Sequence, residues 1–266
     1  MARGPRRAAP SAHPWAEAGF GRAAEAYEVG RPGYPSAALD FIAARLELAP
    51  GRLVVDLGAG TGKLSRLLAA TGARVIAVEP VSAMRQLMPA GIDAIEGTAE
   101  AIPCGAGSAD AVTCAQAFHW FQPGTALFEI HRVLRPGGGL AIVTNVRNES
   151  DPLQRGFLDV LGRYRSHPSL EDASRPAALL AGDQRFAGAE LRRFPHVHRV
   201  DADTFVAQAA SESSVALLDD SARERALCDF RALIDGTDEI ELHYVTEVVC
   251  ASRREADGSV REMPPA

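Results

Sequence analysis

The chain has 266 residues, of which 47% are hydrophobic and 23% charged, a balance that predicts a soluble globular protein with a substantial core. Its formal net charge of −6 disfavours nucleic acid as a partner, and no apolar run reaches the roughly 18 residues of a membrane helix. The four cysteines are scattered without a C-x-x-C pair, so we expect no metal site and no disulfide framework, and a cytoplasmic protein fits best.

The N-terminal part of the chain is predicted to be a tail followed by two helices. Residues 1–14 are rich in Arg, Pro and Ala, which is typical of a disordered tail, and no apolar segment follows them as an export signal would require. A helical pattern then covers 15–48, interrupted at RPGYP (31–35), where the two prolines cannot continue a helix.

The side chains around this interruption admit two interpretations. Tyr27, Arg31 and Tyr34 could serve only helix packing and a turn, or the segment 15–48 could lie as a lid over a ligand cleft. In the second case the three side chains would help to frame a substrate. Arg31, if it faces the cleft, would suit a carboxylate.

The run LVVDLGAGTGKL (53–64) predicts a buried strand, a tight glycine turn and the start of a helix. Glycines at 58, 60 and 62 let the backbone adopt positive φ and let a ligand approach the main chain closely. The turn follows the first strand of an α/β pattern, which is where such sheets bind nucleotide-type ligands.

Two details of this run favour S-adenosylmethionine over a nicotinamide dinucleotide. In the dinucleotide fingerprint G-x-G-x-x-G the third glycine would fall on Lys63. Asp56 lies two residues before the first glycine, where its carboxylate would repel a pyrophosphate but attract an ammonium and a sulfonium.

Strands and helices then alternate, which predicts a doubly wound, mostly parallel sheet with right-handed crossovers. The five predicted strands are 53–56, 74–78, 93–96, 111–115 and 139–144. After residue 145 the rhythm changes: helices dominate 151–215, and strands are predicted near 191–200 and over 240–252. We expect one domain over 15–252, a seven-stranded sheet with an antiparallel last strand, and a frayed tail over 253–266.

Polar residues stand where the second and third strands end. Glu79 could accept hydrogen bonds from both hydroxyls of a ribose, or it could be a solvated charge. Met84 could lie against an adenine or belong to the core. The loop Thr98-Ala99-Glu100 could edge the adenine, or it could be only a turn and a helix cap.

The fourth strand ends in AQAFHWF (115–121), which brings aromatic rings to the mouth of the predicted cleft. An aromatic wall beside a sulfonium is favourable by about 0.5–2 kcal/mol through cation–π attraction. His119 could be a general base or could fix the loop by hydrogen bonding. The spacing of His196 and His198 indicates one face of a strand rather than metal ligands.

Taken together, the runs VVDLGAGTGKLSRLLAATGARVIAVEP, GTAEAIP, AQAFHWF and EIHRVLRPGGGLAIV resemble class I S-adenosylmethionine-dependent methyltransferases. More narrowly, the H-W pair and the R-P-x-Y-P element resemble the group of trans-aconitate methyltransferase-like enzymes. The likeness covers about residues 20–146, and one departure is Thr98, where many relatives carry Asp. The cofactor-binding residues that it implies are Asp56, Gly58, Ala59 and Gly60 for the methionyl part, Glu79 and Pro80 for the ribose side, Met84, Thr98, Ala99 and Glu100 around adenine, and Ala115 and Gln116 beside the sulfonium.

The sequence therefore favours a methyltransferase that moves a methyl group to an O, N or C atom of a small molecule, acting as a monomer or homodimer. Catalysis is expected to depend on alignment and desolvation, with His119 as the candidate base and Tyr27, Arg31, Tyr34 and Trp120 on the substrate side. A protein of this fold that catalyses a non-methylating reaction such as a cyclisation, or that only binds the cofactor, is the alternative. A nicotinamide-dependent dehydrogenase is a third possibility.

Overall fold

The computed structural model describes residues 14–165, 176–234, 236–237 and 239–255. Its centre is one sheet whose inner strands are buried on both faces, which requires helices on both sides. Most of the two predicted tails lies outside the described residues. Pro14 already begins the first helix, and Arg253 still belongs to the last strand.

The sheet has seven strands in the order β3-β2-β1-β4-β5-β7-β6. The first five strands are mutually parallel, and β7 is antiparallel to both of its neighbours, β5 and β6. This confirms the predicted fold class, a doubly wound sheet with an antiparallel last strand. The strands are β1 (Leu53–Leu57), β2 (Arg74–Val78), β3 (Asp93–Ile95), β4 (Ala109–Ala115), β5 (Leu134–Arg147), β6 (Phe186–Val200) and β7 (Ile240–Arg253).

The helices cover both faces and the carboxyl-end edge of the parallel strands. The predicted interruption separates the first two helices, because α1 ends at Gly30 and α2 begins at Ser36. The α-helices are α1 (Pro14–Gly30), α2 (Ser36–Arg45), α3 (Lys63–Ala69), α4 (Ser82–Arg85), α5 (Pro123–Val133), α6 (Pro152–Tyr164), α7 (Pro176–Gly182), α8 (Ala202–Ala210), α9 (Ser213–Ala216) and α10 (Asp220–Arg231), with 3₁₀ turns at Phe118–Trp120 and Ala232–Ile234.

β4 begins two residues before its predicted start, and two further strands begin five residues early, in both cases where a glycine interrupts the pattern. Residues 135–138, which precede the predicted fifth strand, lie within β5, where the ladder to β4 shifts register and Gly137 has φ +72°. The strand predicted for 191–200 starts at Phe186, and its register against β7 shifts around Gly188, with φ +65°. Bulges of this kind break the alternation from which strands are recognised.

The core divides into one cluster on each face of the sheet and a third cluster beyond β5. Alternate residues of β1 point to opposite faces, so Val55 packs on the α5 side while Val54 packs on the side of α2 and α3. The third cluster is built on Phe157, Phe205 and Phe230, which come from α6, α8 and α10. It fixes α8 beside the carboxyl-end edge of the sheet.

Helix α1 lies across this edge, in contact with α4 at one end of the sheet and with α8 and α9 at the other. Its last residue, Gly30, touches α8 directly: a Cβ atom there would lie 2.2 Å from the backbone nitrogen of Gln208. The closeness of the two helices therefore depends on the missing side chain of Gly30.

We expect Gly30→Ala to lower the melting temperature by several degrees, because overpacking of this size costs about 1–3 kcal/mol. Gly33→Ala is the matched control, since a Cβ at Gly33 would meet nothing within 4 Å. Thermal unfolding of both variants checks this. Equal melting temperatures for the two would contradict the close packing of α1 on α8.

Candidate active site

The glycine turn after β1 has the positive φ angles that its sequence predicts. Gly58, Gly60 and Gly62 have φ of +60°, +59° and +84°. The N–H of Gly58 donates to the Val78 carbonyl at 2.8 Å, which ties the turn to the end of β2. A Cβ atom at Gly58 would lie 2.7 Å from that of Ala117, so the turn, including Ala59, lies tightly against the loop after β4.

Asp56 lies beneath this turn and is 1% exposed. The Ser65 hydroxyl donates to one carboxylate oxygen at 2.6 Å and the Thr113 hydroxyl donates to the other at 2.7 Å. Burial raises the pKa of Asp56 to about 6, although both hydroxyl bonds favour the charged form. At neutral pH a negative charge is thus held under the glycine turn.

Glu79 closes the turn from the side of β2. It is 5% exposed, and its two carboxylate oxygens accept hydrogen bonds from the backbone N–H groups of Gly60 and Val81, each at 2.9 Å. The carbonyl of the next residue, Pro80, accepts from Arg85 at 2.7 Å. Met84, one turn into α4, is buried. The end of β2 therefore adds a second carboxylate to the same edge.

The loop after β3 brings one unpartnered polar atom to the site. The hydroxyl of Thr98 is buried and has no hydrogen-bond partner among the described residues. Ala99 is buried beside it, while the Glu100 carboxylate accepts from the backbone N–H of Gln122 at 2.8 Å, next to the start of α5. A buried hydroxyl without a partner is uncommon and fits a position that a ligand satisfies.

The backbone at the end of β4 also has an uncommon conformation. Gln116, which follows the half-buried Ala115, has φ +52°, uncommon for a residue other than glycine. Its side-chain amide exchanges two hydrogen bonds of 3.3 Å with the backbone of Asn145. Asn145 was not predicted as a site residue. Its side chain donates to the Gly33 carbonyl at 2.9 Å, so it joins the loop after α1 to the sheet.

His119 and Trp120 lie in the 3₁₀ turn that follows, with ring centroids 5.0 Å apart. Both are half-buried. The neighbouring Phe121 lies 3.5 Å from the position of a Cβ at Gly58, so the turn borders the glycine loop.

Helix α1 covers the glycine turn from above. The ring of Tyr27 lies 3.7 Å from the position of a Cβ at Gly60. Glu28, which was not predicted, accepts hydrogen bonds from the Thr61 hydroxyl at 2.5 Å and from Arg66 at 3.0 Å, and Lys63 donates to its backbone carbonyl at 2.6 Å. Glu28 thus fastens the C-terminal end of α1 to the start of α3.

Tyr34 reaches the same region from the loop after α1. Burial raises the pKa of its hydroxyl well above the usual value, and the nearby Tyr27 and Asp56 act in the same direction. Tyr27, Tyr34 and Asp56 therefore share one poorly solvated space, on the side where the sequence predicted a lid.

Arg31 has internal partners. Its guanidinium pairs with Glu212 at 2.8 Å and donates to the Ser211 hydroxyl at 2.9 Å. The other oxygen of Glu212 accepts from Arg147, at the end of β5, at 3.0 Å. Burial works to raise the pKa of Glu212, but the two arginines outweigh it and the pKa is lowered. The positive charge of Arg31 is thus compensated within the protein.

Comparison with known proteins identifies the class to which this fold and site belong. Residues 55–142 match the family described as the methyltransferase domain. An uncharacterised methyltransferase of Mycobacterium tuberculosis is 46% identical over 147 residues, 54% of this chain and 59% of that protein. An uncharacterised methyltransferase-like protein of Schizosaccharomyces pombe is 31% identical over 241 residues, 86% of this chain and 93% of that protein.

A solved structure from Anaeromyxobacter dehalogenans, described as a candidate type II methyltransferase, is 26% identical with a TM-score of 0.60 and covers 88% of this chain and 99% of that one. The chain belongs to the class I S-adenosylmethionine-dependent methyltransferases, as its motifs predicted. The match to the mycobacterial relative spans just under three fifths of that protein's length.

Two kinds of feature are absent from the described residues, a membrane-spanning helix and a metal-binding cluster. None of the helices there is long and apolar enough to cross a membrane. The same residues hold no group of three or more His, Cys, Asp or Glu side chains that could bind a metal ion.

The raised pKa of Asp56 predicts a pH-dependent effect of Asp56→Asn. Above about pH 6 the folded wild type must keep this buried group ionised, whereas below the unfolded value of 3.8 the group is protonated in both states. We therefore expect the variant to melt at least as high as wild type at pH 7.5, and its advantage to shrink as the pH falls from 6 to 4. Thermal melts across this range measure the effect.

Asp110→Asn is the control, because its effect on the melting temperature is expected to have the opposite sign. Burial opposes ionisation of Asp110, but hydrogen bonds from Leu53 and Arg52 lower its pKa, so its charge stabilises the fold above pH 4 and this contribution is lost in acid. This variant should melt below wild type at pH 7.5, with a difference that closes in acid. The same pH trend for both variants would contradict our account of Asp56.

Proposed function

We propose that the protein transfers the methyl group of S-adenosylmethionine to an O, N or C atom of a small molecule. The observation that carries the proposal is a pair of buried carboxylates beside a glycine turn. Asp56 and Glu79 lie next to the turn, whose glycines have positive φ, and Tyr27 covers it. A cationic ligand with a flat base suits this concentration of negative charge, whereas a pyrophosphate does not.

The residues present fit this cofactor. The unpartnered Thr98 hydroxyl offers a hydrogen bond where the adenine is expected, and the turn at Gly58 and Gly60 leaves its backbone open to close approach. In this proposal Glu79 and Pro80 border the ribose, Met84, Ala99 and Glu100 border the adenine, and Ala59, Ala115 and Gln116 border the methionyl part. When bound, S-adenosylmethionine supplies an electrophilic methyl group on sulfur.

The chain contributes to transfer mainly by positioning and by excluding water. The bonds of Glu28 to Thr61 and Arg66 hold α1 over the turn, and the ring of Tyr27 lies against Gly60. Such a closed site orients the acceptor and strengthens electrostatic interactions. His119 is our proposed base, in the turn that borders the glycine loop, and Trp120 our proposed acceptor contact.

The finer points of the prediction remain proposals. We propose a small-molecule acceptor rather than nucleic acid because of the acidic charge balance. The likeness to trans-aconitate methyltransferase-like enzymes, a cytoplasmic location and a monomeric or dimeric state also stay predictions. A non-methylating reaction of the bound cofactor is the second candidate. Formation of S-adenosylhomocysteine in the presence of an acceptor would separate it from methyl transfer.

Calorimetric titration with S-adenosylmethionine tests the cofactor proposal. We expect Glu79→Gln to weaken binding about tenfold to a hundredfold, because hydrogen bonds to a charged group contribute about 1.5–3 kcal/mol. Glu241→Gln is the control, since among the described residues this exposed glutamate pairs with Arg199 and His243, at the start of β7. Failure of the folded wild type to bind, or equal affinities for both variants, would contradict the assignment.

The role of His119 is tested with the acceptor that supports turnover. If His119 is the base, the rate should fall in acid, because a protonated imidazole cannot accept a proton, and His119→Asn should remove this pH dependence while lowering kcat. If the side chain only fixes the loop, His119→Asn would leave the pH profile unchanged. Initial rates of S-adenosylhomocysteine formation between pH 5 and 9 distinguish the two outcomes.

A further inference from the structure

The end of α1 that covers the glycine turn is bonded to the turn itself. Glu28 accepts a hydrogen bond from the Thr61 hydroxyl at 2.5 Å, and Thr61 stands between two glycines of the turn. The other carboxylate oxygen of Glu28 pairs with Arg66 of α3 at 3.0 Å, and Lys63 donates to the Glu28 backbone carbonyl at 2.6 Å. We call these four residues the Glu28 clasp.

Lys63 belongs to the clasp although it stands where a dinucleotide fingerprint would carry its third glycine. Its ammonium contacts a carbonyl in the last turn of α1, which ends at Gly30, and also lies 3.7 Å from the Glu28 carboxylate. The last carbonyls of a helix lack partners within the helix and form the negative end of its dipole, so a cation is favourable there. The residue that argues against a nicotinamide cofactor therefore helps to hold α1.

The clasp fixes the residue that covers the turn. Tyr27 precedes Glu28 in the chain, and its ring lies 3.7 Å from the position of a Cβ at Gly60. The backbone N–H of Gly60 in turn donates to Glu79 at 2.9 Å, on the side where we place the ribose of the cofactor. A ligand that docks on the turn therefore has this end of α1 beside it.

The two attachments of this end of α1 differ in their exposure to solvent. On one side Arg31 pairs with Glu212, where the side chains are 19% and 15% exposed, and Gly30 packs closely on α8. In the clasp the side chains of Glu28 and Arg66 are 32% and 41% exposed. Separating a buried pair leaves uncompensated charges and is costly, whereas a partly solvated pair contributes little and is weakened by salt. The clasp is therefore the attachment that opens more easily.

The clasp is charged at neutral pH and needs no ligand. Burial works to raise the pKa of Glu28, but hydrogen bonds from Thr61 and Arg66 outweigh it and the pKa is lowered. All four members are groups of the protein, so the same contacts form whether or not a ligand occupies the turn.

We propose that the Glu28 clasp is a gate that sets how fast the cofactor reaches and leaves the glycine turn, with Glu28 and Lys63 as positioning residues for Tyr27. This inference rests on the proposed function and deepens it. Weakening the clasp raises the open fraction of the protein with and without a ligand on the turn. Association and dissociation should then both become faster, while the dissociation constant changes much less.

The test measures cofactor exchange in the full-length protein without an acceptor. Protein loaded with tritiated S-adenosylmethionine is chased with excess S-adenosylhomocysteine to give the dissociation rate, and calorimetry with S-adenosylmethionine gives the dissociation constant. We expect Glu28→Ala to raise the dissociation rate at least about threefold, and the association rate by a similar factor. Salt should speed release from the wild type more than from this variant, because the variant lacks the pair with Arg66.

Glu25→Ala is the matched control, because this exposed glutamate lies on the same helix, outside the clasp. Its exchange rates should equal those of the wild type. If Glu28→Ala does not fold, Arg66→Gln decides, since it removes the more exposed partner of the pair.

Unchanged dissociation rates in the clasp variants would overturn the inference. A dissociation constant that rises in proportion to the dissociation rate would also overturn it, because the association rate would then be constant and Glu28 would act only on the bound state. If the folded wild type does not bind S-adenosylmethionine at all, the proposed function is wrong, and the role of the clasp with it.

Discussion

The buried carboxylate of Asp56 is the constraint on which the site depends. Its two oxygens are held by hydroxyls from α3 and β4, so one side chain joins three elements at the point where the chain turns from strand to helix. Because burial raises its pKa to about 6, this charge is tolerated only with both bonds in place. The fold thus accepts an electrostatic cost where a cation is expected to bind.

A second buried carboxylate, that of Glu212, joins the loop after α1 to the end of β5. It lies between Arg31 of the lid and Arg147 of the sheet, and Arg147 in turn stacks 3.8 Å from the ring of Phe157 in the third core cluster. Removing one member of such a group leaves an uncompensated charge, which is far more costly than an exposed pair. The C-terminal end of α1 is therefore attached on two sides, by Glu28 over the glycine turn and by Arg31 at α9.

The sequence was sufficient to predict the sheet, because buried strands and amphipathic helices alternate with clear spacing, and to select Asp56 and Glu79, because each directly follows or ends a strand. It could not reveal the partners of Glu28 or Arg31, since those lie more than 30 and about 180 residues away in the chain. His196 and His198 do share one face of a strand, as predicted. For Asn145 the sequence offers only one indication, a polar residue directly after a predicted apolar strand.

The outer border of the sheet has a consequence for how the protein behaves at high concentration. Among the described residues strand β6 is paired only with β7, and an open strand of fifteen residues is a template on which another chain could add. Its exposed positions carry Arg192, Arg193, Pro195 and Arg199, and the ladder is interrupted beside Gly188. Charge, a missing backbone donor and a local twist together discourage edge-to-edge assembly, so the long edge strand does not make the molecule prone to fibre formation.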